Sequence, residues 1–168
     1  MDMVDTERYA RHISLPDVGI TGQKLIDDSR VLVVGAGGLG SPVLMYLAAA
    51  GIGHIGVVDD DVVDLSNLQR QIIHSESAIG RPKVESAKER INSINSAIKV
   101  TTWNARLSPD NAEEILCEWD IVIDGTDNIP TRYLVDDVCN LLGIPWIYGS
   151  IYRFEAVSYT HLRAHETD

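Results

Sequence analysis

The run Val31 to Gly40, VLVVGAGGLG, is a stretch of branched aliphatics that breaks into glycines at 35, 37, 38 and 40. A continuous apolar run bounded by a turn reads as a fully buried strand, and the glycines read as a sharp passage into a helix. Gly35 permits the tight turn, Gly37 lets backbone approach a ligand with no side chain in the way, and Gly40 allows close helix packing. Pro42 suits the first turn of that helix, which runs through Ala48, Ala49 and Ala50 to Gly51. Its unpaired N–H groups point at the loop and call for an anion, a phosphate above all. Glycine-rich turns also form for purely conformational reasons, so context carries weight. A second apolar run, Ile55 to Val58, ends in Asp59, nineteen residues after Gly40. That is close to the ~20-residue spacing of a ribose-binding acid, a spacing shared by nucleotide binders in general, NAD enzymes included.

The 168 residues suit one domain with a sizeable core, and 45% hydrophobic with 23% charged residues is ordinary for a globular protein. A formal net charge of −11 argues against nucleic acid or an anionic membrane as the main partner. Against that acidic background the local gathering of Arg70, Arg81 and Lys83 is informative. No apolar run approaches ~18 residues and no basic, apolar leader opens the chain, so a cytoplasmic protein is expected. Cys117 and Cys139 are too few for a disulfide framework and have no CxxC spacing; both fall in expected helices and read as buried, inert thiols.

The first thirty residues read as a short helical start and a turn-rich lead-in around Pro16, Gly19 and Gly22. After Asp59, Asp60 and Asp61 comes VVDLSNLQRQIIH, 62–74, without a clear period. Its clustered Asn67, Gln69, Arg70 and Gln71 predict a binding loop or short helix. Gly80-Arg81-Pro82-Lys83 opens a helix to about Asn95, with Val84, Ala87, Ile91 and Ile94 at core-facing spacing. Lys99 to Trp103 predicts a third strand, Ser108 to Glu118 a helix, and Ile121 to Ile123 a fourth strand running into Asp124-Gly125-Thr126-Asp127-Asn128. Pro130 to Leu142 predicts a helix stopped by Gly143, and Pro145 to Tyr148 a fifth strand. Alternating strands and helices imply an α/β fold: a doubly wound, mainly parallel Rossmann-like sheet with helices on both faces and ligands at the strands' C-terminal ends. Gly35 to Gly40, Asp59 and Asp124 to Asn128 then fall on one edge.

Taken together, RYAR at 8–11, GAGGLGSPV at 35–43, the acids Asp59 and Asp61, LSNLQRQ at 65–71, GRPKVESA at 80–87 and DGTDN at 124–128 closely resemble the ThiF/MoeB adenylyltransferases. These are relatives of ubiquitin-activating enzymes, and the resemblance covers about residues 6 to 156. The molybdopterin-synthase branch is most similar, and the thiamine branch shares the same motifs. The resemblance implies ATP-dependent adenylation of the C-terminal glycine of a ubiquitin-like sulfur carrier, with release of pyrophosphate. It implies that Gly35, Gly37, Gly38 and Gly40 line the nucleotide and that Asp59 holds the ribose hydroxyls. It places Ser66, Asn67, Leu68 and Gln69 in the same expected nucleotide site, where Asn67, Arg70 and Lys83 would contact the phosphates. By the same resemblance Asp127 is expected to bind magnesium and Asn128 to sit beside the nucleotide. The residue matching Arg11 reaches, in that family, into the partner subunit's site, so the resemblance implies a homodimer.

The chemistry fits those residue types. ATP carries roughly four negative charges, so drawing pyrophosphate away calls for fixed cations, which Arg70 and Lys83 supply. A carboxylate nucleophile, with an α-carboxyl pKa of about 3.3 to 3.7, is already ionised at neutral pH and requires neither general base nor catalytic cysteine. Each residue also has a plainer reading: Arg70, Lys83 and Arg11 as solvated charges, Asp127 as the cap of the helix near Pro130, the acidic run as surface.

Past Glu155 the family continues with further strands and, in many members, two CxxC pairs holding zinc, which this chain lacks. The ending VSYTHLRAHETD departs from that pattern, so residues 1–156 are expected to form the nucleotide-binding unit and 157–168 a non-family tail on a shortened reading frame. His161 and His165 stand at helical spacing without the further ligands a metal needs. Such a chain is expected to bind nucleotide and turn over poorly. An NAD-dependent oxidoreductase satisfies the glycine and Asp59 pattern equally well, and a nucleotide-binding protein without turnover is the third reading.

Overall fold

The computed structural model describes residues 4–152 and 155–161. A sheet ordered β3-β2-β1-β4-β5-β6 forms its centre. Its strands are β1 Arg30–Val34, β2 His54–Val58, β3 Lys99–Trp103, β4 Ile121–Asp124, β5 Trp146–Tyr152 and β6 Glu155–His161. β1 to β5 pair in parallel and β6 runs antiparallel to β5. The order turns back between β1 and β4, and loops leaving those two strands border the crevice where an open α/β sheet takes a ligand. The expected doubly wound architecture is present, with one antiparallel edge strand added.

Helices α1 Ala10–Ile13, α2 Gly19–Asp28, α3 Gly40–Ala50, α4 Lys83–Ile94, α5 Ala112–Leu116 and α6 Ile129–Leu142 fill the intervals. On one face Leu44 and Ala48 of α3 and Val84, Ala87 and Ile91 of α4 pack on Val31, Val33, Ile55 and Val57. On the other, Ile115 and Leu116 of α5 and Val135 and Cys139 of α6 pack on Leu32, Val34, Val58 and Val122. β1 is buried on both faces because alternate residues serve the two cores, hence its unbroken apolar run.

The lead-in forms more helix than its glycines suggest. Gln23 of α2 is fully buried; its amide donates to the Ala50 carbonyl at 3.0 Å, and its Oε1 accepts from His12 Nδ1 at 2.7 Å. Those tertiary bonds override the weak local preference. The opposite holds for 108–118, where only Ala112–Leu116 is helical. Asn111 Oδ1 accepts from the Ser108 amide at 2.8 Å, a turn bond that competes with helix. Cys117 therefore lies beyond the helix and is exposed, contrary to the buried reading, whereas Cys139 is buried and its thiol is pushed up to about 12 by burial. Pro82 precedes α4 in extended backbone because it bridges Val62 in an antiparallel pair. β5 runs longer than expected, to Tyr152, and residues 157–161 of the expected tail belong to β6; residues 162–168, with His165, lie outside the described residues.

Candidate nucleotide site

Parallel register sets the ends of β1, β2 and β4 side by side: Val34 pairs with both Val58 and Asp124. The Gly35 amide donates to the Val58 carbonyl at 2.8 Å, and the Gly125 amide donates to the Val34 carbonyl at 2.9 Å, so the strand tips are tied together. Gly35 has φ 91, which a side chain resists, and a methyl there would stand 3.2 Å from Thr126 Cγ2. At Gly40 a methyl would overlap the Gly35 carbonyl oxygen, so the close packing expected of this glycine is found. α3 begins at Leu39 without a side-chain cap. Among the described residues no acceptor is found for the amides of Gly37, Gly38 and Leu39, which leaves the donors an anion would use.

Asp59 is built into this loop. One carboxylate oxygen accepts from the Ala36 amide and the other from the Asp61 amide, each at 2.8 Å. Burial holds its carboxyl above the ordinary range, and the two amide donors oppose that shift. Each oxygen keeps a lone pair for a further donor such as a sugar hydroxyl.

Arg70, Gln71 and His74, late in the segment 62–74, lie against the glycine loop. Asp64 caps a short 3-10 turn, Leu65–Asn67, and accepts from the Ser66 amide at 2.8 Å and from the Ser66 hydroxyl. Asn67 and Leu68 are half-buried and Gln69 is exposed. Arg70 lies over Gly38, where a methyl would stand 3.5 Å from its Cγ and Cδ, and it has no acidic partner among the described residues. Gln71 is buried beside Gly37, and its Oε1 has no hydrogen-bond partner. Lys83, 4% exposed, is bound at 2.7 Å to Oδ2 of the exposed Asp61. The ladder that sets this pair runs from the Lys83 amide to the Asp61 carbonyl, 2.9 Å, and from the Val63 amide to the Arg81 carbonyl, 2.9 Å.

On the β4 side the helix cap is Asn128, whose Oδ1 accepts from the Thr131 amide at 3.2 Å. Asp127, the residue with the expected capping alternative, is exposed and free of that job. Asp124 is 0% exposed; its Oδ1 accepts from the Thr126 amide at 2.9 Å and hydroxyl at 2.7 Å. Its Oδ2 faces Arg132 Nε at 3.7 Å, and the guanidinium carbon sits 4.5 Å over the Tyr148 ring. Burial raises the Asp124 carboxyl above its ordinary range, against the Thr126 bonds and the Arg132 charge.

Gly35, Gly37, Gly38, Gly40, Asp59, Arg70, Lys83, Asp127 and Asn128 are thus gathered on one edge of the sheet. Arg11 is not: α1 packs with α2 near the far end of α3, where Tyr9 Oη accepts from Asn95 Nδ2 at 2.9 Å and Gln23 binds Ala50. Asp124, Arg132 and His74 were not singled out by sequence. An acid ending a buried strand and a histidine after Ile72 and Ile73 were the available signals; Arg132 carries none, because its partner is reached only through the fold.

A ThiF family model matches residues 9–167. The chain belongs to the ThiF family. It is 54% identical over 151 residues to the probable adenylyltransferase/sulfurtransferase MoeZ of Mycobacterium tuberculosis, covering 90% of this chain and 38% of that protein. It is 48% identical over 160 residues to the SAMP-activating enzyme E1 of Haloferax volcanii, covering 95% of this chain and 59% of that protein. Among solved structures it superposes on Escherichia coli MccB with ATP at a TM-score of 0.85 and 26% identity, covering 97% of this chain and 50% of that one. The ThiF-family chain described here therefore spans 38% to 59% of the length of these relatives.

Proposed function

We propose that this chain is the nucleotide-binding unit of an adenylyltransferase that activates the C-terminal glycine of a ubiquitin-like sulfur carrier with ATP. Residues 1–156 carry the unit. The supporting observation is the convergence on one crevice of glycine-loop amides and an Arg70 side chain over Gly38, neither with a partner among the described residues, and the buried Lys83. The relatives named as adenylyltransferases and the neighbour solved with ATP point the same way.

In this reading the loop amides and α3 hold the phosphates, and Asp59 takes the ribose hydroxyls on its remaining lone pairs. A carboxylate oxygen of the carrier attacks the α-phosphorus, the bond from that phosphorus to the bridging oxygen breaks, and pyrophosphate leaves as an acyl adenylate forms. No proton is transferred, because the nucleophile is already ionised. Arg70 and Lys83 neutralise charge gathering on the departing pyrophosphate. Magnesium, a hard cation bound by carboxylate and phosphate oxygens, would be held at Asp127, exposed at the β4 tip, and would neutralise phosphate charge. The acid trio Asp59, Asp60 and Asp61 has ligand atoms within 4.8 Å of one another, but in this reading the free lone pairs of Asp59 serve the ribose and Asp61 pairs with Lys83, so Asp127 is the better donor. Arg11, remote from the crevice within one chain, suits a site completed across a homodimer. A cytoplasmic setting fits the reading, and among the described residues no helix is long and apolar enough to cross a membrane.

Calorimetry with ATP and magnesium, against NADH as control, tests the proposal. Binding of ATP, at least about tenfold weaker in Arg70→Ala, is expected; preferential binding of NADH would favour the dinucleotide reading instead. Carrier-dependent exchange of labelled pyrophosphate into ATP separates turnover from binding alone.

A further inference from the structure

The backbone of Ala36 is gripped on both sides, through the Gly35–Ala36 and the Ala36–Gly37 peptide groups. Its N–H donates to Asp59 Oδ2 at 2.8 Å, and its carbonyl lies 3.0 Å from His74 Nε2. A carbonyl only accepts, so Nε2 carries a proton; Nδ1, 2.9 Å from Ser86 Oγ, accepts from that hydroxyl in the neutral ring. His74 is 8% and Ser86 5% exposed, so water does not substitute for either partner. Burial also holds the imidazole below its ordinary range, in keeping with the neutral form.

The bond between Ala36 and Gly37 is trans, as are all those described. A trans peptide plane sets its carbonyl and the following N–H in opposite directions. With the Ala36 carbonyl directed at His74, the Gly37 N–H is directed away from it, and no protein acceptor is found for that amide among the described residues. The nearest atom a methyl at Gly37 would meet is Gln71 Nε2, at 3.8 Å, so the space beside this residue is open.

We propose that His74 is a positioning residue for polyphosphate: by fixing the Ala36 carbonyl it aims the Gly37 amide at the nucleotide's phosphates. Without the imidazole N–H the buried carbonyl keeps only the longer bond from the Ser41 hydroxyl, 3.5 Å, and the Ala36–Gly37 plane is held less firmly. The inference rests on the nucleotide reading above and adds a residue that touches no ligand itself.

The test is calorimetry of the chain with adenosine, AMP and ATP, comparing wild type with His74→Phe, which fills the space without a donor, and His74→Gln, which restores an N–H. Adenosine affinity is expected to stay within about twofold in all forms. ATP affinity is expected to fall about 3- to 10-fold in His74→Phe, more than AMP affinity, and to recover in His74→Gln. Should the Phe variant not fold, the wild-type Gly37 amide is followed by NMR. A large shift on adding ATP and a small one on adding adenosine support the role. Equal losses for adenosine and ATP, unchanged ATP affinity in a folded His74→Phe, or a Gly37 amide indifferent to ATP would overturn it. A wild-type chain that binds neither adenosine nor ATP overturns the nucleotide reading itself.

Discussion

Asp124 Oδ2 and Arg132 Nε face one another at 3.7 Å inside the protein, and neither atom has a hydrogen-bond partner among the described residues. The pair joins the tip of β4 to the first half of α6, and so braces the loop that carries Asp127 and Asn128. Arg132→Ala leaves a buried carboxylate uncompensated and is expected to lower stability by about 2–3 kcal/mol in urea, below the full buried-pair cost because Arg132 is partly exposed. Asp124→Asn combined with Arg132→Ala is expected to cost little more than Arg132→Ala alone. Strict additivity in that double-mutant cycle would show that the two groups act independently.

Lys83 and Asp61 form the other pair at the crevice, and here the two partners differ in exposure: 5% for the lysine side chain, 67% for the aspartate. If the ammonium serves the leaving pyrophosphate, Lys83→Ala lowers carrier-dependent turnover by about 10²- to 10³-fold. Asp61→Asn removes only an exposed orienting partner and is expected to cost less than about tenfold. A larger loss for Asp61→Asn than for Lys83→Ala in pyrophosphate exchange would reverse these roles.

The two glycines that flank Leu39 answer differently to a methyl group. At Gly40 it would overlap the Gly35 carbonyl, backbone against backbone with nothing flexible to yield, and Gly40→Ala is expected to cost about 3 kcal/mol or more. At Gly38 the neighbours are Arg70 side-chain carbons at 3.5 Å, ordinary contact, so Gly38→Ala should keep the fold. Denaturant midpoints check both, and a Gly40→Ala variant as stable as wild type would contradict the observed packing.

Stability should also fall on mild acidification. His74 and His54 are both held below their ordinary value of 6.5, chiefly by burial. The unfolded chain takes up protons that the folded imidazoles refuse, so this stability is complete above about 6.5 and is lost as pH falls through the depressed folded values. Asp59 and Asp124 have raised values, so their contribution has the opposite sign and falls in the carboxylate range. Urea midpoints from pH 8 to 5 should fall less steeply in His74→Gln than in wild type, with the His54 share remaining. Identical slopes would mean that His74 does not titrate with folding.

Much of the crevice was legible in the chain because it is assembled from strand tips. A strand that ends in glycines and a second that ends in an acid announce themselves by local pattern, and parallel pairing then leaves little freedom in where they meet. The structure departs from local expectation for two reasons: α2 forms through the tertiary bonds of the buried Gln23 despite its glycines, and α5 is shortened by a side-chain bond within the Asn111 turn itself.

By itself, the sequence determined the doubly wound order of elements, the glycine turn after β1 and the set of charged residues at one sheet edge, since hydrophobic period and turn chemistry act over a few residues. Only the tertiary structure decided which groups meet: Lys83 with Asp61, Arg132 with Asp124, His74 beneath Ala36. Those contacts join positions on different elements, 8 to 38 residues apart, and their geometry follows from strand register and helix packing, which no local pattern encodes.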